Sequence, residues 1–329
     1  MMAISRTPFR ISFFGGGTDY PQYYRENGGA VLCTTINKYC YVTARDLPPF
    51  FNYRFRIRYT HREETNSVEE IAHPSVRECL KFVGFSKDIE MVHTSDIPAM
   101  SGIGSSSSFT VGFLNALYAL KGRIVTKRQL AYDAIQIEQE HIRECVGSQD
   151  QTAAAFGGLN RIDFHRNGNI FVQPATVSNE KMSFLQDHLV FIFTGQSRIA
   201  SSIAQEQIQN TPDRLNELKE MRQMVDHAVE ILNGPIDNFV EFGKLLNESW
   251  LLKRSLTKQI TNDAIDQLYQ VALDNGALGG KLCGAGGGGF FLLFVPPSAQ
   301  PRVKEALKGL LHVPFRFETL GSHIIFYAE

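Results

Sequence analysis

Pro98-Ala99-Met100-Ser101-Gly102-Ile103-Gly104-Ser105-Ser106-Ser107-Ser108 runs directly into Phe109, Phe113, Leu117 and Leu120, apolar residues at helical spacing. The pattern predicts a helix over 105–120, opened by serines and preceded by a loop with two flexible glycines. Backbone N–H groups at such a helix start, with the positive end of its dipole, suit phosphate oxygens, and a serine hydroxyl can add a magnesium ligand. One capping serine is ordinary; four in a row behind two spaced glycines ask for more than a cap. The loop is not a Walker P-loop, because GxxxxGK[ST] is absent and no lysine follows the glycines.

Two further glycine-rich segments flank this one. Upstream, Arg6-Thr7-Pro8-Phe9-Arg10-Ile11-Ser12-Phe13-Phe14 reads as an apolar strand ending in Gly15-Gly16-Gly17-Thr18-Asp19. Glycines there let backbone approach a ligand, and Asp19 can bind sugar hydroxyls, although a turn with an Asp cap reads equally well. Downstream, Lys281-Leu282-Cys283-Gly284-Ala285-Gly286 continues through Gly289 into Phe290 and Phe291. It permits a GxGxxG match, but a dinucleotide fingerprint opens a helix and this segment leads into a strand, so dinucleotide binding is rejected.

Ala131, Ala134, Ile135, Glu138 and Ile142 share one face of a helix expected over 128–145, which puts a carboxylate among apolar residues. A buried carboxylate needs a partner, either a divalent cation or an arginine. Asp150, in Gly147-Ser148-Gln149-Asp150-Gln151, is a second carboxylate just beyond. Helical periodicity returns around 213–232, 237–252 and 263–274, while 188–194, 289–295 and 323–327 read as strands. Residues 53–59 alternate, with Arg54, Arg56 and Arg58 on one face of a half-buried strand and that face expected to be solvated. Strands and helices are interspersed throughout, giving an α+β or mixed α/β protein.

The chain has 329 residues, 43% of them apolar and 20% charged, which suits a globular protein of about two domains. Lys and Arg total 33 against 34 Asp and Glu, so no global charge attracts nucleic acid or an anionic membrane. Any bound anion must be held locally. Cys33, Cys40, Cys79, Cys145 and Cys283 are scattered, without CxxC or zinc-ligand spacing, which fits a reduced cytoplasmic protein. No run approaches the roughly 18 apolar residues of a membrane span. Arg6, Pro8 and Arg10 stand where a secretory signal would need its apolar core, so none is expected.

In this order and spacing, the three glycine segments and two carboxylates resemble the GHMP kinases, the family of galactokinase, homoserine kinase and mevalonate kinase. The resemblance runs from about residue 4 to about residue 295. It implies an α+β two-domain fold, with a ribosomal-protein-S5-like domain over 1–180 and a ferredoxin-like domain over 181–329. ATP, Mg2+ and a small-molecule acceptor would meet between them. Carried onto this chain, it makes Gly102, Ile103, Gly104, Ser105, Ser106 and Ser107 the phosphate loop and Ser106 and Glu138 the magnesium ligands. Asp150 becomes the catalytic base or hydroxyl positioner, supported by Arg10. Gly16, Gly17, Thr18, Asp19, Gly284, Ala285 and Gly286 fall at the acceptor.

Galactokinase has Gly-Glu-His before its Thr-Asp pair where this chain has Gly15-Gly16-Gly17, which removes two polar side chains and speaks against galactose recognition. The triple glycine, Gln149-Asp150-Gln151 and Thr194-Gly195-Gln196-Ser197-Arg198 are most similar to the bacterial kinases of D-glycero-D-manno-heptose 7-phosphate and their fucokinase-like relatives. That resemblance implies phosphorylation of the anomeric hydroxyl, with Arg198 first and Lys281 second as contacts for the sugar's own phosphate. It leaves a homodimer open.

Overall fold

The computed structural model describes residues 1–99, 101–195 and 200–329. Its first strand, Met2–Phe14, contains a proline that cannot donate to a ladder, and the strand changes partners there. Before Pro8 it pairs antiparallel with the last strand, His323–Ala328. After Pro8 the same edge meets the glycine loop, with the Arg10 N–H donating to the Ile103 carbonyl at 3.1 Å and Ser108 Oγ to the Pro8 carbonyl at 3.0 Å. On its other side lies the long strand Gly29–Asp46. Among the described residues the sheet has nine strands, six of them in the path His323–Ala328, Met2–Phe14, Gly29–Asp46, Ile89–Ser95, Phe55–Arg58, Arg62–Thr65, with Ile170–Pro174 joined off it through Asn160–Phe164. Phe317–Glu318 and Asn160–Phe164 also pair with Gly29–Asp46.

The helix Ser105–Leu120 lies across this sheet as its spacing predicts, with Phe109, Phe113, Leu117 and Leu120 buried. Its close approach depends on Gly112, where a methyl would stand 2.7 Å from Thr7 Oγ1. A second, four-stranded antiparallel sheet runs Leu311–His312, Leu189–Phe193, Phe290–Phe294, Gly279–Leu282. The helices Leu215–Asn233, Phe239–Leu256 and Asp263–Asp274 match the expected periodic stretches within a few residues. Phe242 binds the two sheets together. It meets Phe13 and Phe14 of the first strand edge to face at 5.4 and 5.0 Å, and Phe294 of the second sheet at 6.3 Å. One apolar cluster therefore spans both sheets.

Three expectations are corrected. The first sheet does give way to the second near residue 180, but the chain returns, and Phe317–Glu318 and His323–Ala328 complete the first sheet. The helix expected over 128–145 is α-helical only over Lys127–Gln136. It widens to a π turn at Ile137–His141 and then leaves the helix, with Arg143 at φ 62°. The arginine face of 53–59 is not simply solvated: only Phe55–Arg58 is strand, and buried Arg56 lies over Phe51 while pairing with Glu90 at 3.2 Å. Arg58 shares Glu90, and Arg54 pairs with Asp88, so these charges hold strands together.

No helix of the described residues is long and apolar enough to cross a membrane. All five cysteines are free thiols.

Candidate active site

Between the two sheets lies a cavity of about 370 Å3, reached by residues from each of the three glycine segments. Its centre is Arg10, brought there by the second half of the first strand. Arg10 Nε and Nη2 donate to the two carboxylate oxygens of Asp150 at 2.7 and 2.8 Å, and Nη1 donates to the Gly102 carbonyl at 2.9 Å. Such a two-pronged pairing fixes the carboxylate plane as well as its charge. Asp150 sits in the first turn of Gln149–Phe156, where its negative charge also suits the helix dipole.

The glycine loop leads into a helix start, as the spacing predicts. Gly102 and Gly104 take positive φ of 80° and 76°, a conformation that costs a side-chain-bearing residue, and Gly104 caps Ser105–Leu120. Ser105, Ser106 and Ser107 all reach the cavity wall. The third segment packs on the loop from the opposite side, with Gly284 and Ala285 at the cavity. Gly286 fits instead beneath Ile260, so its expected acceptor contact is replaced by a packing role.

Asp19 is buried at the rim with Gly16 and Gly17 beside it. It accepts hydrogen bonds from the backbone N–H of Gly17 at 3.0 Å and Gln149 at 3.3 Å. Burial, with the nearby Asp150 charge, holds its carboxyl above the usual carboxylate range, against the pull of those N–H groups. Thr18 does not line the cavity: its hydroxyl is fully buried and bonds to the carbonyls of Gly15 and Ala30. Ile103 is likewise buried and contributes its backbone carbonyl to Arg10.

Glu138 is completely buried in the π turn behind the serines. Its Oε2 accepts from Ser107 Oγ at 2.8 Å and from the Gln151 side-chain amide, while Oε1 has no partner. Burial pushes its pKa up to about 7, against the pull of the hydrogen bonds from Ser107 and Gln151. A buried carboxylate with one orphaned oxygen next to a phosphate-binding loop fits a divalent cation. The hydroxyl that meets Glu138 is that of Ser107, while Ser106 is exposed and lines the cavity. Among the described residues no cluster of three His, Cys, Asp or Glu offers an alternative metal site.

Lys281 lines the cavity as expected, and Lys253, from the helix Phe239–Leu256, joins it unannounced. Lys253 follows Phe242, Leu246 and Trp250 on the helix's buried face, so a lysine on an apolar stripe was the signal. Arg198 lies outside the described residues.

Residues 66–158 match the GHMP kinases N terminal domain and residues 229–312 the GHMP kinases C terminal domain. The chain is 30% identical to the D-glycero-alpha-D-manno-heptose 7-phosphate kinase of Campylobacter jejuni, over 92% of each chain. It is 26% identical to the L-fucokinase/L-fucose-1-P guanylyltransferase of Bacteroides fragilis, over 92% of this chain and 35% of that longer protein. A D-glycero-D-manno-heptose 1-phosphate kinase from Bacteroides thetaiotaomicron shares the fold over 100% of both chains, with a TM-score of 0.78 at 24% identity.

Proposed function

Because the chain belongs to the GHMP kinase family, we propose that it transfers the terminal phosphoryl group of ATP to the anomeric hydroxyl of D-glycero-D-manno-heptose 7-phosphate. The product is the 1,7-bisphosphate, a precursor for nucleotide-activated heptose and surface polysaccharide made in the cytoplasm. The observation that carries this reading is the Arg10–Asp150 fork beside the glycine loop, within one cavity that also holds Asp19. The heptose kinase relative, alike over nearly the full length of both chains, supports the choice of acceptor.

Phosphoryl transfer depends mainly on alignment and on neutralising phosphate charge. The loop N–H groups at Gly104 and the serines hold the donor phosphates at the start of Ser105–Leu120. Glu138, Ser107 and Ser106 would hold Mg2+, which supplies charge neutralisation at the phosphate oxygens when bound. Arg10 occupies one lone pair on each Asp150 oxygen and leaves others open to the cavity. Asp150 accepts the proton of the C1 hydroxyl as that oxygen bonds to the γ-phosphorus and ADP departs. Asp19 receives the sugar's hydroxyls.

Phosphorus NMR of products from Mg-ATP and the heptose 7-phosphate, with free heptose, fucose and galactose alongside, tests the reading. A new anomeric phosphate on the phosphosugar alone is expected. Equal turnover of a free sugar would keep the kinase and replace its acceptor.

A further inference from the structure

Lys253 and Lys281 are both more than nine-tenths buried, yet both line the cavity. Neither ammonium has a carboxylate within ion-pair distance among the described residues. Lys253 Nζ donates to the carbonyls of Leu282 at 2.9 Å and Gly284 at 2.5 Å, and Lys281 Nζ donates to the Phe13 carbonyl at 2.9 Å. An ammonium carries three donors, so each lysine keeps at least one for the cavity.

Burying two like charges together is costly, and a hydrophobic face would normally exclude both. Here two separate elements deliver them to one place: the helix Phe239–Leu256 brings Lys253, and the strand Gly279–Leu282 brings Lys281. Burial holds Lys253 well below the usual lysine range, with the charge of Lys281 adding to it, and burial lowers Lys281 to about 8. Arg10, Asp19 and Cys283 are the other titratable groups acting on the pair. The Asp150 carboxylate is already paired with Arg10, so it does not supply a counter-charge. The carbonyls that the lysines hold belong to the segments leading to Gly284 and Gly15, which places both ammoniums beside those two glycine segments at the cavity.

We propose that Lys253 and Lys281 form a paired-ammonium subsite for a phosphate monoester, in the cavity that the glycine loop also lines. This rests on the kinase reading above and adds to it a binding group drawn from the second sheet. Two sources carry that chemistry, the transferred phosphoryl group and the phosphate already on the acceptor.

The test begins without turnover. Inorganic phosphate is expected to raise the Tm of the wild-type protein and to protect both lysines from acetic anhydride, read by mass spectrometry. Lys253→Met and Lys281→Met should lose the Tm rise, while Lys258→Met, an exposed position outside the cavity, retains it. The labelling arm uses wild type only, so it stands even if a variant fails to fold. Steady-state kinetics then separate the sources. A KM increase of tenfold or more for the heptose 7-phosphate, with KM for ATP unchanged, assigns the acceptor's phosphate. A comparable fall in kcat on phosphorylated and free sugar alike assigns the transferred group. Unprotected lysines, or variants with unaltered kinetics and phosphate response, overturn the subsite. Failure of the kinase reading shows itself differently, as phosphate protection without sugar phosphorylation.

Discussion

Gly102 and Gly284 touch backbone to backbone. A methyl on Gly284 would stand 2.5 Å from the Gly102 α-carbon, and one on Gly102 would stand 2.6 Å from the Cys283 carbonyl oxygen. The phosphate loop is thus clamped by the third glycine segment, which ties a site in the first sheet to the ladder of the second. Gly284→Ala meets both a steric block and a φ of 73°, so a loss of about 1–3 kcal/mol is expected from the overpacking alone. Denaturant unfolding of the variant checks it, and an unchanged midpoint would mean the two segments are not locked.

Asp150→Asn keeps the shape of the fork but removes the charge that the proposed mechanism uses to accept the proton. Turnover is expected to fall by about 10²–10⁴, with ATP binding, measured by calorimetry, mostly retained. Loss of nucleotide binding in parallel would instead make Asp150 part of the donor site.

Glu138→Gln removes the charge facing the serines while keeping an oxygen and the side-chain volume. The variant should fold, need far more Mg2+ to reach its maximal rate, and lose on the order of a hundredfold in kcat at ordinary Mg2+. An Mg2+ titration of initial rates decides this, and an unchanged curve would remove Glu138 from the metal site.

His93 and His73 both contact Phe109 in the first turns of Ser105–Leu120, and burial lowers His93 to about 4, with His73 adding to the shift. The unfolded chain binds its proton near the ordinary 6.5, so this histidine's contribution to stability is complete above that pH and is lost as the pH falls toward 4. His93→Phe should flatten that part of the Tm-versus-pH profile. A wild-type slope that survives the substitution would point to carboxylates instead.

Phe242→Ala opens a hole where the two sheets meet and should cost about 3–5 kcal/mol. Chemical denaturation measures it, and a cost below 1 kcal/mol would show that the seam repacks freely.

Features that repeat locally were legible in the sequence. Ser105–Leu120 shows its apolar spacing and its glycine loop within one stretch, and the strands around Phe191 and Phe291 read from composition. Features set by distant partners were not. Nothing near Thr18 reveals that its hydroxyl is spent on Ala30, twelve residues away across a strand pairing. The periodicity through Glu138 continues to Ile142, but the chain widens and turns out of the helix, with the Glu144 N–H returning to the Glu138 carbonyl. Lys253 lies one residue beyond the periodic stretch 237–252, in the last turn of Phe239–Leu256, where a lysine reads as the end of an apolar face. The pairing of Lys253 with Lys281 depends on how a helix docks on a sheet, which no local pattern encodes.

The partnership of the first and last strands has a consequence for how the molecule is made. Met2–Phe14 carries Arg10, but the half before Pro8 has its outer neighbour only when His323–Ala328 arrives. During synthesis that edge stays unpaired until residues 323–328 have left the ribosome, and such long-range closure is slow to form. Loss of His323–Ala328 would therefore expose a sticky edge on the strand that positions Arg10, and yield would suffer before chemistry did.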